Sequence, residues 1–305
     1  VWQRIQPSRL HEQLHDGASL VLDAVDELHQ PAERLAHGLE GVFRSRVQIN
    51  MYVSWTATEG FGTHWDDHDV IVVQLEGAKR WRLYGPTRIN PLHRDTEAPE
   101  PPADEPLEEV VLRAGDMLYL PRGWWHAVAA TEGRSLHLTC GLQTTTGADL
   151  LGWLSDRLRT SETVRAHLPV FAQPQDQADY LELLRKEVTD ALHDSAIADF
   201  LIARDGNEPG RPMPSLPFLD AVPAREDLHV RLTTARAQLT DNDQGQVVLV
   251  EWTFAPPVHA VLSPLLDGSS VPLGHLAETS GLTVGQVAGL ITELVNANIA
   301  AVSEP

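Results

Sequence analysis

Apolar positions recur every second residue in the first half of the chain and every third or fourth in the second half. Val47, Ile49, Met51 and Val53 alternate with Gln48, Asn50 and Tyr52, which predicts a strand with one face buried. The short apolar run Val70-Ile71-Val72-Val73-Gln74-Leu75, ended by Gly77, reads as a second strand. Further strands are predicted over residues 80–84, 109–112, 117–120 and 135–142. Gly77, Gly85-Pro86, Gly115-Asp116, Pro121-Arg122-Gly123 and Gly133 supply the turns between them. Many short strands at close spacing imply an antiparallel barrel or sandwich.

The period changes at Asp149. Leu150, Leu154 and Leu158 fall on one helical face, as do Tyr180, Leu184, Val188 and Leu192, with Ile197 and Leu201 extending the pattern to Asp205-Gly206-Asn207. The Pro-rich run 209–217 reads as a linker. The segment 276–283, followed by Val287, Leu290, Leu294 and Ile299, predicts helix, turn, helix. With strands expected at 246–253 it suggests a winged-helix module. The expected parts are therefore 1–148, strand-rich; 149–208, helical; and 209–305, winged-helix-like.

Composition narrows the function classes. A chain of 305 residues, 42% hydrophobic and 22% charged, predicts a soluble globular protein of two or three packed units. No apolar run reaches the roughly 18–20 residues of a membrane span. The first residue is Val1, not Met, which gives the expectation of a trimmed start. Cys140 is the single cysteine, which excludes an internal disulfide and a Cys-based metal cluster. A net charge of −20 argues against nucleic acid or anionic membrane and favours a basic protein or peptide partner. Between Asp95 and Glu109 lie seven acids, four prolines and no basic residue. That stretch predicts a solvated loop, or alternatively an acidic lure for a basic substrate.

The chemistry concentrates at Thr63-His64-Trp65-Asp66-Asp67-His68-Asp69, which runs into the predicted strand at Val70. Residues i and i+2 of a strand share a face, so His64 and Asp66 can chelate one ion together. His126, after Pro121-Arg122-Gly123-Trp124-Trp125, can complete a 2-His-1-carboxylate face, the ligand set of non-haem Fe(II) oxygenases. Three other readings stay open. His64 and His68 have the spacing of a helical zinc pair, a metal-storing cupin would use His-x-His with a Glu, and the histidines could simply lie on a polar surface.

The runs His64-Trp65-Asp66-Asp67-His68-Asp69-Val70, Gln74-Leu75-Glu76-Gly77-Ala78-Lys79-Arg80-Trp81-Arg82-Leu83-Tyr84 and Ala114-Gly115-Asp116-Met117-Leu118-Tyr119-Leu120-Pro121-Arg122-Gly123-Trp124-Trp125-His126 resemble the JmjC ribosomal oxygenases. The resemblance is dense over residues 45–145 and looser in the order of parts. It implies an α+β chain: a double-stranded β-helix (the cupin or JmjC barrel), a helical dimerisation region and a C-terminal winged-helix domain. It implies Fe(II), 2-oxoglutarate and O₂, with His64, Asp66 and His126 as iron ligands. Lys79 matches the basic residue that binds the distal carboxylate of 2-oxoglutarate, and Asn50, Tyr52 and Thr139 match positions lining the cosubstrate pocket. The implied reaction is hydroxylation of an Arg or His side chain, at the β-carbon, in a ribosomal protein. The implied assembly is a cytoplasmic homodimer. Alternatives are the same chemistry on a ribosomally made peptide natural product, or a non-catalytic metal-binding cupin with a regulatory winged helix.

Lys79 also stands out without the resemblance. Only it and Lys186 are lysines among 23 basic residues, and the cosubstrate's buried distal carboxylate needs a compact cation. Trp81, Trp124 and Trp125 read as core or pocket wall, His137 as a packed strand histidine and Cys140 as a small buried hydrophobe. Asp67, His68 and Asp69 read as outer partners of the metal ligands or as substrate-facing groups. DNA binding is not expected: residues 215–305 hold three basic residues against ten acidic, and 283–298 hold no Lys or Arg.

Overall fold

The alternating segments pair as antiparallel sheets. In a computed structural model, β1 (Leu20–Leu22), β2 (Arg46–Ser54), β3 (Asp69–Glu76), β4 (Ala78–Pro86), β5 (Glu108–Arg113), β6 (Met117–Leu120), β7 (Trp124–Ala130) and β8 (Ser135–Gln143) belong to the unit Val1–Thr144. The structure describes residues 4–92, 100–131, 133–208, 210, 211, 213, 215–218, 220–241, 247–249 and 252–305. One sheet runs β1-β2-β8-β3-β6 and the other β5-β4-β7. Each strand predicted in the first half is present within a residue or two, and β1 and the full extent of β7 are added to them.

Strict alternation sends each strand's residues to two faces. Val70 and Val72 of β3, Trp81 and Leu83 of β4, Leu112 of β5 and Leu120 of β6 pack into one cluster. The opposite face of β2, β3 and β8 gives Val47, Ile49, Ile71, Cys140 and Leu142, packed with Ala32 and Ala36. Those two alanines come from α2 (Gln30–Phe43), which follows α1 (Pro7–His15). Ile49 and Leu142 are essentially inaccessible, each contributing about 1.5–3 kcal/mol by burial. Helix α2 also buries Glu33, His37 and Glu40, and α1 buries nothing, so neither shows a plain apolar stripe in the sequence. Its buried acid has a structural task. β1 covers β2 only at 51–53, and Glu40 Oε1 accepts from Val47 N (2.9 Å) while Asp26 Oδ1 accepts from Ile49 N (2.7 Å). Carboxylates thus satisfy strand N–H groups that no neighbouring strand reaches.

Gly77 makes the turn between β3 and β4. Its φ is +66°, and a Cβ there would lie 2.1 Å from the Arg134 carbonyl oxygen, so no other residue fits without moving backbone. Of the acidic stretch, residues 93–99 lie outside the described residues; 100–107 form an irregular, largely exposed connection into β5.

The second unit, Thr145–Pro305, begins with α3 (Gly147–Leu158), α4 (Glu162–Arg165), α5 (Pro174–Ala191) and α6 (Ala196–Asn207). A reciprocal capping box of Thr146 and Asp149 starts α3 at the point where the sequence period changes. The pattern running through Leu192 to Leu201 is broken into two helices, because Leu192 leaves helical geometry (φ −89°, ψ 49°). In the Pro-rich run, residues 209, 212 and 214 lie outside the described residues. Beyond it come β9 (His229–Leu232), β10 (Leu239–Asp241), β11 (Val247–Leu249), β12 (Trp252–Phe254), α7 (His259–Leu262), β13 (Val271–Pro272), α8 (Leu273–Ser280), α9 (Val284–Asn296) and β14 (Ala300–Ser303). The strand expected at 246–253 is the paired β11 and β12; residues 246, 250 and 251 lie outside the described residues. α8 and α9 supply Leu273, Leu276, Val287, Ile291 and Leu294 to a core shared with β9 and β14. No helix among the described residues is long and apolar enough to cross a membrane.

Candidate metal centre

Two segments are stitched together by backbone. His64 N donates to His126 O at 3.0 Å and His126 N donates to His64 O at 2.7 Å, a narrow antiparallel pair just ahead of β3. Gly123 N donates to Asp66 O at 2.8 Å, and Arg122 N donates to the Asp69 carboxylate at 2.8 Å. The turn 121–123 therefore grips the His64–Asp69 segment before the chain enters β7 at Trp124. Gly123 is required there: its φ is +82°, and a Cβ would lie 2.9 Å from Arg88 O and 2.7 Å from Pro91 Cδ.

One ligand atom each from His64, Asp66 and His126 lies within 4.8 Å of the others. His126 Nε2 is 3.7 Å from Asp66 Oδ2, and the two imidazole centroids are 4.3 Å apart. Both rings are oriented in the same way. His64 Nδ1 bonds Gly62 O (3.1 Å) and His126 Nδ1 bonds Trp124 O (2.9 Å), so Nδ1 donates in each and Nε2 keeps its lone pair. Burial pushes His126 below the ordinary imidazole value; the Trp124 carbonyl and Asp66 carboxylate pull against it, and His64 adds to the lowering. Neutral imidazole is the form that binds metal. Two imidazole nitrogens and one carboxylate on one side of a cavity fit a divalent first-row ion with open positions.

The cavity beside this cluster, about 240 Å³, is lined by the three residues together with Tyr52, Lys79, Trp81, Val128, His137 and Thr139, among others. Lys79 is 3% exposed, and burial lowers its pKa to about 8. Its Nζ is 2.8 Å from His137 Nδ1. The His137 ring lies parallel to Tyr52, with centroids 4.9 Å apart and planes 2° apart. Tyr52 is raised above the usual phenol value by burial, offset by a bond to the Asn50 side chain, with Asp66 and Asp23 adding to the rise.

Most of the sequence-predicted site residues meet here; Asn50 does not line the cavity. Its Oδ1 accepts from Ala24 N (3.0 Å) and Gln48 Nε2 (3.1 Å), and its side chain bonds Tyr52 while its backbone pairs with the wall residue Thr139. Asp67, His68 and Asp69 also lie off the wall, with His68 Nδ1 3.0 Å from Asp67 Oδ1. Trp81, 3% exposed, is both core and cavity wall, whereas Trp125 Nε1 donates to Thr87 Oγ1 (2.9 Å) and does not line this cavity. Cys140 is fully buried, which drives its thiol up to about 12. His137, expected as a packed strand histidine, also lines the wall, together with Ser19, Ser54 and Phe61, which no motif in the sequence marks. Strand parity could have found His137, since it shares a face with Thr139.

Fold and site together are those of a JmjC-type domain. Residues 26–150 match the family described as "JmjC domain", so this part of the chain is a JmjC domain. The chain is 32% identical over 205 residues to the bifunctional lysine-specific demethylase and histidyl-hydroxylase NO66 of Dictyostelium discoideum, an alignment covering 62% of this chain and 40% of that protein. It is 39% identical over 125 residues to ribosomal oxygenase 2 of Rattus norvegicus, covering 38% of this chain and 26% of the relative. The chain thus spans less than half the length of the curated relatives it matches. YcfD, a ribosomal oxygenase from Escherichia coli solved with cobalt and 2-oxoglutarate, superposes with a TM-score of 0.57 at 18% identity, covering 93% of this chain and 78% of that one. That likeness shows a shared fold.

Proposed function

We propose that the chain is an Fe(II)- and 2-oxoglutarate-dependent oxygenase that hydroxylates an Arg or His side chain, at the β-carbon, of a ribosomal protein. The observation that carries this reading is the meeting of His64, Asp66 and His126 beside a buried lysine in one cavity. His64, Asp66 and His126 would hold iron, and Lys79 would neutralise the distal carboxylate. Strand register supports the spacing. His126 pairs Leu83 and Ala130 pairs Lys79, so the lysine backbone sits about 13 Å along the strands from the level of His126. A lysine stem and a five-carbon keto acid together can bridge that distance. With O₂, the bound metal and keto acid supply an oxidation in which 2-oxoglutarate goes to succinate and CO₂ and one oxygen atom enters a C–H bond.

The chain's own residues have simpler tasks. The Gly62 and Trp124 carbonyls keep both imidazoles in the binding tautomer, and Val70, Trp81 and Val128 give the cosubstrate an apolar wall. Tyr52 and Thr139 add hydroxyls to the same wall. A net charge of −20 suits a basic ribosomal segment by steering. The relatives' names as ribosomal oxygenases favour ribosomal substrates, and cobalt with 2-oxoglutarate in the E. coli protein is consistent with the donor set here. Exposed Leu168, Val170 and Phe171 in the helical part support a homodimer, and α8 and α9 beside β9, β13 and β14 support a winged-helix module.

The test is mass spectrometry of ribosomal proteins incubated with the chain, Fe(II), ascorbate and 2-oxoglutarate. A gain of one oxygen atom on an Arg or His, absent without the cosubstrate, is expected. Succinate formation undiminished in Asp66→Ala would show the ligand assignment to be wrong.

A further inference from the structure

Lys79 and His137 come from different sheets, β4 and β8, yet their side chains meet at 2.8 Å in the interior. Both are nearly inaccessible, at 3% and 4% exposure. The imidazole is held on two sides, by Tyr52 stacked parallel and by Trp81 edge-on with centroids 5.8 Å apart. An ammonium can only donate, so His137 Nδ1 is the acceptor and its proton sits on Nε2. Burial holds His137 well below the ordinary imidazole value, and the Lys79 charge adds to this, so the ring stays neutral and able to accept.

We propose that His137 is a positioning residue for the cosubstrate: it takes one N–H of the Lys79 ammonium and fixes the stem, leaving the other N–H bonds for the distal carboxylate of 2-oxoglutarate. This rests on the functional reading above. A lysine stem free to rotate would lose that freedom on binding, and its ammonium is strongly hydrated wherever it can reach water. His137 removes both penalties before the ligand arrives. The stack on Tyr52 keeps the ring from following the lysine if it moves.

Two substitutions separate the acceptor from the packing. His137→Asn keeps an acceptor near the Nδ1 position and loses the stack; His137→Phe keeps the stack and loses the acceptor. Calorimetry of 2-oxoglutarate on the Mn(II)-loaded chain should show Kd about tenfold or more weaker in the Phe variant and within about threefold of wild type in the Asn variant. Turnover at saturating 2-oxoglutarate should change by no more than about twofold in either, since positioning acts on binding. A second readout needs no ligand. Lysine occurs only at 79 and 186, so ¹³Cε-lysine labelling gives two signals, with exposed Lys186 as reference. The Lys79 signal should move toward that of Lys186 in the Phe variant and stay distinct in the Asn variant. An unchanged Lys79 signal with unchanged Kd in the Phe variant overturns the role alone. If that variant does not fold, a tenfold loss in the Asn variant overturns it. Wild-type protein that fails to bind 2-oxoglutarate overturns the functional reading and this role with it.

Discussion

His64 and His126, sixty-two positions apart in the chain, exchange both of their backbone hydrogen bonds, at 3.0 and 2.7 Å. The main chain therefore fixes where the two imidazoles meet; Trp81 packs against the His126 ring and Phe61 against the His64 ring, and each ring is oriented by a carbonyl two residues upstream. Perturbing that main chain should harm metal binding without touching a ligand. Gly123→Ala puts a Cβ 2.9 Å from Arg88 O at φ +82°, in the turn whose N–H holds Asp66 O. The expected outcome is a stability loss of about 1–3 kcal/mol and a metal affinity lowered at least tenfold. Thermal denaturation and a metal titration measure the two.

Lys79 gives a pH dependence with a definite sign. Its folded value of about 8 lies below the ordinary 10.5, so between those values the unfolded chain binds more protons than the folded one. Stability of the ligand-free protein from this group therefore rises with pH across that window. Binding a carboxylate favours the charged amine and works the other way. Affinity for 2-oxoglutarate should be flat below pH 8 and fall by up to about tenfold per unit above it, with net proton uptake at pH 8.5–9. Calorimetry in buffers of different ionisation enthalpy reads both quantities.

The same burial separates stability from function. Lys79→Met removes a buried charge and keeps the apolar stem. The empty protein should gain on the order of 1–3 kcal/mol while 2-oxoglutarate binding weakens at least tenfold. Parallel melting curves and calorimetry test the pair of effects; a variant that loses both stability and binding would contradict it.

The loop that runs from β2 to His64 is tied to β4 by the ion pair of Glu59 and Arg82, each about a third exposed. An exposed pair is worth at most about 1 kcal/mol. Glu59→Gln should leave the melting temperature nearly unchanged while raising amide exchange at residues 57–64, as hydrogen-exchange mass spectrometry would show.

In the C-terminal part, α9 carries no Lys or Arg, and residues 215–305 hold three basic residues against ten acidic. No retardation of duplex DNA is expected in a gel-shift assay even at low salt.

The sequence by itself determined what depends on near neighbours. Alternation at 47–53 specified a strand with one buried face, and the apolar run 70–75 a strand covered on both, while His64 and Asp66, read as i, i+2 of a strand, meet from the irregular segment just ahead of β3. It also marked Lys79, whose parity in β4 matches Trp81 and Leu83 on the buried face. The helix α2 was not legible, because it buries Glu33, His37 and Glu40 among its alanines. Those acids read as surface residues until β2 is seen to leave N–H groups for Glu40 and Asp26 to satisfy. Only the tertiary structure brought His126 to the pair and set His137 against Lys79, since each contact joins strands far apart in the chain. It also set the Asn50 oxygen on the Ala24 N–H and the Gln48 amide, while Asn50 keeps the strand parity of Tyr52 and stands opposite Thr139. Local periodicity fixes which face a residue takes; long-range pairing decides which other faces it meets.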